Sequence, residues 1–187
     1  MIGYHGTDAN NEASIMENNF NVSSEIDDWL GNGAYFFIAG LLDPMECAAR
    51  WGKVNSYDSV KKIKKYDAYV VLEAELNVSA DATFDLDVKD NIEAYEEYRQ
   101  EYFRALELNG LRTKSMLEND CEICNMIFED EDAEIEAIVR REYIKLDKLQ
   151  RIRKHNSRIP NCRIVSIKNP ENYVSNIRGV CGGRVAE

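Results

Sequence analysis

The stretch Trp29-Leu30-Gly31-Asn32-Gly33-Ala34-Tyr35-Phe36-Phe37 constrains this chain more than any other. Two glycines that run straight into Tyr-Phe-Phe read as a loop feeding a strand. Bare backbone can approach a flat ligand there, and an aromatic ring can then be held over it. Near the start, Tyr4-His5-Gly6-Thr7 has the same character: the glycine permits close approach, while the imidazole and hydroxyl can hydrogen-bond a ribose or an amide. Each stretch also has a plainer reading. His5 can be a structural histidine satisfied by backbone, and Tyr35 a core aromatic beside Phe36 and Phe37. The flanking Tyr4 and the following Gly-Thr favour a ligand-binding role for His5.

The chain has 187 residues, 44% of them hydrophobic, which suffices to bury one sizeable core and points to a single domain over 1–187. The longest apolar run, Ala34 to Leu42, is too short to span a bilayer, and the N-terminus lacks a basic-then-apolar leader. A soluble cytoplasmic protein with no membrane partner is expected. Five cysteines without a secretion signal read as reduced thiols. Cys121-Glu122-Ile123-Cys124 forms a C-x-x-C, but no second pair stands at ligand spacing, so no metal is expected and buried thiols are the preferred reading. A zinc-stabilised interaction domain is the corresponding rival.

The formal net charge is −11, and its distribution matters more than its sum. From Arg140 to Lys168 there are ten basic and two acidic residues, so this segment carries +8 and the rest −19. Such asymmetry marks either an anion-binding face or a patch that answers the acidic run elsewhere in the molecule. From Glu118 to Glu136 there are nine acids and no bases, which reads as a solvated surface, with a docking face for a basic partner as second reading.

Along the chain, Met1 to Thr7 reads as a strand, after which Asp8 caps a helix whose Ala9, Ala13, Met16 and Phe20 give a buried face. Asp43-Pro44 starts another helix, through Trp51. Asp67 to Leu76 alternates as a strand, and Ala82 to Val88 reads as a further candidate strand. Ile92 to Leu108 is an amphipathic helix with Ile92, Tyr95, Tyr102 and Leu106 inward. Ala137 to Leu146 fits strand or helix, with strand preferred. Cys162 to Ile167 is a strand stopped at Asn169-Pro170, and the tail beyond, with Gly179, Gly182 and Gly183, is expected to be loose at its end.

His5-Gly6-Thr7, followed by Gly33-Ala34-Tyr35-Phe36 and then Ala48-Ala49-Arg50-Trp51, resembles the motif order of the ADP-ribosyltransferase superfamily in its His-Tyr-Glu branch, that of the poly(ADP-ribose) polymerases and diphtheria-like toxins. The resemblance implies an α+β domain of the split ADP-ribosyltransferase fold, with two small antiparallel sheets around an NAD cleft and helices packed about them. It assigns NAD contacts to His5, Gly6, Thr7, Gly33, Ala34, Tyr35 and Phe36, with Tyr35 stacked on the nicotinamide. Cys47 and Trp51 fall where relatives carry residues near that ring. Small members of this kind resemble toxins of bacterial or phage defence, held in check by a neutralising antitoxin protein.

Breaking the bond between nicotinamide and ribose develops positive charge on the anomeric carbon, so catalysis calls for a clamp on the leaving group and negative potential at that carbon. In the family a late-strand glutamate provides the latter. The matching strand here, Arg163 to Ile167, bears no acid on it or just before it, and the expected position falls near Cys162 to Ile164. Polymer formation is therefore not expected. Arg163 is the catalytic candidate on that strand, as a ligand for phosphate or an acceptor anion, with Glu122 or Glu142 reaching in from neighbouring segments as alternatives. The expected activity is transfer of one ADP-ribose unit from NAD to a macromolecule, protein or nucleic acid. A nucleic-acid acceptor would be recognised through the basic loop Arg140 to Arg158. The rival from another class is a module that binds NAD, ADP-ribose or a protein without chemistry.

Overall fold

The computed structural model describes residues 1–26, 28–58 and 60–185. In chain order the elements are β1 (Ile2–Asp8), α1 (Glu12–Asn18), β2 (Ala34–Ile38), α2 (Pro44–Asn55), β3 (Tyr57–Asp58), β4 (Ile63–Lys64), β5 (Ala68–Leu76) and β6 (Thr83–Asp85). There follow α3 (Lys89–Leu108), α4 (Met116–Glu129), β7 (Ala137–Glu142), α5 (Lys148–Ile152), β8 (Cys162–Ile167), α6 (Pro170–Tyr173) and β9 (Val174–Arg184). Seven strands form one sheet in the order β6-β7-β8-β2-β1-β5-β9, and β3 and β4 pair separately as a hairpin. The class is α+β. Where two small antiparallel sheets were expected, one large sheet and one hairpin stand, and the parallel β6–β7 pair makes the large sheet mixed.

Alternation along the strands sends side chains to two different cores. Ala34, Phe36 and Ile38 of β2 join Val70, Leu72 and Ala74 of β5 and Val165 and Ile167 of β8 on one face, covered by Phe20 and, partly, by Ile15 of α1. Phe37 of β2, Val71 of β5 and Cys162 and Ile164 of β8 lie on the other, beneath α2, α3 and α4. A central strand buried on both faces must be apolar throughout, which is why β2 reads Ala-Tyr-Phe-Phe-Ile.

Helix starts follow the local chemistry. The Asp43 carboxylate accepts the Glu46 N–H at 2.7 Å ahead of Pro44, and Ser115 with Glu118 forms a reciprocal capping box on α4. Two expectations are corrected. Met16 is 52% exposed, and Ile15 is the residue that α1 turns toward the core. As far as Arg184 the tail is not loose, since β9 pairs with β5 from Ala68–Arg184 to Leu76–Val174, with bulges; residues 186–187 lie outside the described residues. Glycines are required there, since a Cβ at Gly182 would lie 2.7 Å from the Tyr69 carbonyl oxygen.

The feature that positions the site is a split between the two central strands. β1 continues along β5 as far as Asp8–Tyr69, and β2 continues along β8 to Ala34–Ile167. Between β1 and β2, however, the register holds only at Gly3–Ile38 and Tyr4–Phe37. Beyond that point the strands part, and the sheet opens into two halves.

Candidate functional site

A cavity of about 390 Å³ occupies the split, within the range of small-molecule sites. Its lining comes from both faces of the sheet, so it runs through the opening. His5, Thr7, Phe20 and Phe36 line it from one face; Tyr35, Phe37, Trp29 and Trp51 line it from the other. Gly6, Gly33 and Ala34 contribute their backbones to the rim. Gly6 admits no larger residue, because a Cβ there would stand 1.9 Å from the Ala48 carbonyl oxygen of α2.

His5 sits at the crotch of the split. Its Nδ1 lies 2.8 Å from the Tyr35 carbonyl oxygen, which replaces a missing ladder bond between the parting strands. A carbonyl only accepts, so Nδ1 carries the proton and, in the neutral ring, Nε2 is the acceptor. The ring is wedged edge-on against Phe20 (centroids 5.1 Å) and Phe36 (5.9 Å). Burial lowers its pKa, opposed by the bond to Tyr35, and this favours the neutral form.

Tyr35 leaves β2 on the opposite face. Its hydroxyl accepts the Leu30 N–H and donates to the Gly31 carbonyl, both at 2.7 Å, which ties the phenol to the loop that precedes its own strand. Burial pushes that phenol far above the ordinary tyrosine value. Gly31 has φ +71° and lies against Asn125 of α4, whose amide oxygen accepts the Asn32 N–H at 2.7 Å. The glycines expected to bare the loop backbone thus also let it turn and rest on α4. Trp29 meets Tyr35 (6.4 Å) and Trp51 (5.3 Å) at steep angles, which forms an aromatic wall.

Two contributions went unread in the sequence. Asn11, Ser14 and Asn18 line the cavity from the α1 side, with Ile15 among them. Their spacing of three and four residues marks a helical face, but a polar one, which apolar periodicity does not reveal. Asp28 brings a carboxylate to the lining beside the Tyr35 phenol, whose pKa it helps to raise.

Other expected site residues lie elsewhere. Arg163 points to the face opposite Ile164, where its guanidinium holds Asp85 at 2.5 Å and Asp87 at 3.3 Å. It does not line the cavity; the late strand presents Ile164 there. Cys47 is buried on the inner face of α2, and the Cys162 thiol donates to its sulfur at 3.6 Å, so it packs against β8 and leaves the lining to Trp51 on the same helix. That bond, and then burial, raises the Cys162 thiol pKa. Glu122 is paired with Lys114 (2.6 Å) and Glu142 with Arg140 (3.3 Å), and neither reaches the cavity.

The basic segment does touch the site's edge, since the Arg151 guanidinium of α5 stacks 4.7 Å over the Trp51 ring. Cys121 and Cys124 are buried in α4, and no group of three or more metal-ligating side chains converges among the described residues. No helix among them is long and apolar enough to cross a membrane. Comparisons of the chain with protein-family models, with curated proteins and with solved structures gave no match.

Proposed function

We propose that the cavity in the β1/β2 split binds NAD and that the protein transfers a single ADP-ribose unit from it to a macromolecular acceptor, with release of nicotinamide. The observation that carries this reading is the meeting of His5 and Tyr35 at one open cavity, joined through the Nδ1 contact to the Tyr35 carbonyl. That is the juxtaposition the resemblance to His-Tyr-Glu ADP-ribosyltransferases requires.

In this reading His5 Nε2 accepts a ribose hydroxyl, and the backbone beside Gly6 bonds the nicotinamide amide. The Tyr35 ring, braced by Trp29 and Trp51, clamps the departing base. The polar face of α1 bonds the remaining hydroxyls and phosphates. Asp28 supplies negative potential toward the developing cation, which is the work a late-strand glutamate does in the family and Ile164 cannot do. Arg151 marks the side from which an acceptor approaches.

Ile164 favours a second reading, a module that binds NAD or ADP-ribose without breaking the glycosidic bond. The two separate when NAD labelled in its adenosine half is incubated with the protein and with pools of protein, RNA and DNA. Label on one pool with free nicotinamide, both lost in Ser14→Trp, supports the transferase. Binding without nicotinamide release supports the module.

A further inference from the structure

A second cavity, of about 510 Å³, lies on the other flank of α2 and has the opposite electrostatic character from most of this acidic chain. Its rim carries Arg50 and Lys53 of α2, Lys64 of β4 and Lys148 of α5. The acid in its lining, Asp147, is committed to capping α5, where its carboxylate accepts the Leu149 and Gln150 N–H groups at 2.8 and 3.2 Å. Lys64 is committed as well, to Asp67 at 2.9 Å. Among the described residues, Arg50, Lys53 and Lys148 form no ion pair.

Two of these cations are held in place. The Lys53 ammonium stands 5.2 Å from the centroid of the Tyr69 ring and that of Lys148 stands 5.3 Å from the centroid of Tyr57. Such contacts restrain long side chains that would otherwise lose rotamer freedom on binding. The cavity floor is apolar, with Val54 8% and Leu146 4% exposed beside the half-buried Tyr57. Convergent cations over an apolar floor suit a ligand that is multiply anionic at one end and flat and apolar at the other. A carboxylate brings too little charge, and an inorganic anion leaves the floor uncovered.

We infer that this cavity binds a nucleotide, with Arg50, Lys53 and Lys148 on its phosphate and the base against Val54, Leu146 and Tyr57. The nucleotide comes either free or as one unit of a single strand. Binding here does not depend on the transferase reading. Its placement bears on that reading, because α2 lines both cavities, with Trp51 in the first and Lys53 in the second, while α5 gives Lys148 to the second and stacks Arg151 on Trp51.

The test is equilibrium binding to the full chain of adenosine monophosphate and of a fluorescent oligo-deoxyadenylate, with NAD titrated separately. Lys53→Glu/Lys148→Glu is expected to weaken nucleotide binding by about tenfold or more, and Lys53→Gln/Lys148→Gln to weaken it less while lowering the salt dependence of oligomer binding by about one unit per lysine. Lys89→Glu, on the exposed side of α3, changes neither. Binding of the monophosphate alone identifies a free nucleotide; a marked preference for the oligomer identifies a strand. Absence of binding to both, binding untouched by either double variant, or equal displacement by polyglutamate overturns the inference. NAD affinity unchanged in the double variants separates this site from the first, and a wild-type chain that binds the nucleotide probes but no NAD would overturn the proposed function alone.

Discussion

The imidazole Nδ1 of His5 and the carbonyl oxygen of Tyr35 lie 2.8 Å apart at the point where β1 and β2 part. One contact therefore bridges the parting strands and fixes the tautomer, which leaves Nε2 as the acceptor of the neutral ring. Replacing His5 with Ala leaves that carbonyl without its partner in a part-buried place, at a cost of about 1–3 kcal/mol. Urea unfolding is expected to show this loss, together with weakened NAD binding. Unchanged stability would mean that the bond does not hold the split.

The histidine also sets a pH dependence. Its folded pKa is lowered by burial, so between that value and the ordinary one near 6.5 the unfolded chain binds more protons than the folded one. Stability contributed by neutral His5 is present above the ordinary value and is lost as pH falls below it toward the folded value. Thermal melting across this range is expected to fall more steeply with acid in the wild type than in His5→Gln. The opposite order would contradict a lowered pKa.

The Tyr35 hydroxyl is a structural tie, because it joins Leu30 and Gly31 to the strand that follows them. Tyr35→Phe keeps the ring and removes both bonds, with an expected loss of about 1–3 kcal/mol. Hydrogen exchange at the Leu30 amide should accelerate. NAD affinity should fall less than in Tyr35→Ala, which removes the ring itself.

Asp28→Asn separates binding from chemistry. The amide keeps an oxygen that can accept the Glu25 N–H, now received at 3.2 Å, but brings no charge to the cavity. Nicotinamide release is expected to slow by about a hundredfold with NAD affinity nearly unchanged. Equal loss of affinity and rate would assign Asp28 to ground-state binding.

Arg163→Gln is expected to cost stability and to spare the site. The guanidinium pairs with Asp85 and Asp87 between β8 and β6, and its removal leaves the part-buried Asp85 carboxylate without its ion pair while Asp87 keeps Arg141 at 3.4 Å. A loss of about 1–3 kcal/mol in unfolding with unchanged NAD affinity is the expected result. Weakened NAD binding at full stability would restore Arg163 to the site.

Much of this arrangement was legible in the sequence because local chemistry and packing agreed. Two-sided burial made β2 apolar, Asp43-Pro44 announced α2, and alternation marked β5 and β8. The misplacements have equally local reasons. On β8 the strand period puts Cys162 and Ile164 on one face and Arg163 on the other, so a residue beside the expected position could not share its direction. The helical spacing that picked Met16 is one position away from Ile15, and a single short helix does not resolve that phase. β9 was hidden because Gly179 and Gly182 give no alternating pattern; the need for them comes from Glu12 and Tyr69, which are close only in three dimensions. Pairing of the Arg50, Lys53 and Lys148 charges at one slot was likewise invisible, since α2 and α5 are nearly a hundred residues apart in the chain.

Calorimetric titration of NAD into the wild type and into Ser14→Trp tests the central claim most directly. Ser14 lines the cavity from a helix with no buried residue, so an indole there fills the opening without touching the core. Saturable binding of one NAD per chain, lost in Ser14→Trp at unchanged melting temperature, is the expected result. A wild-type chain that binds no NAD, or a filled cavity that leaves its affinity intact, would contradict the account.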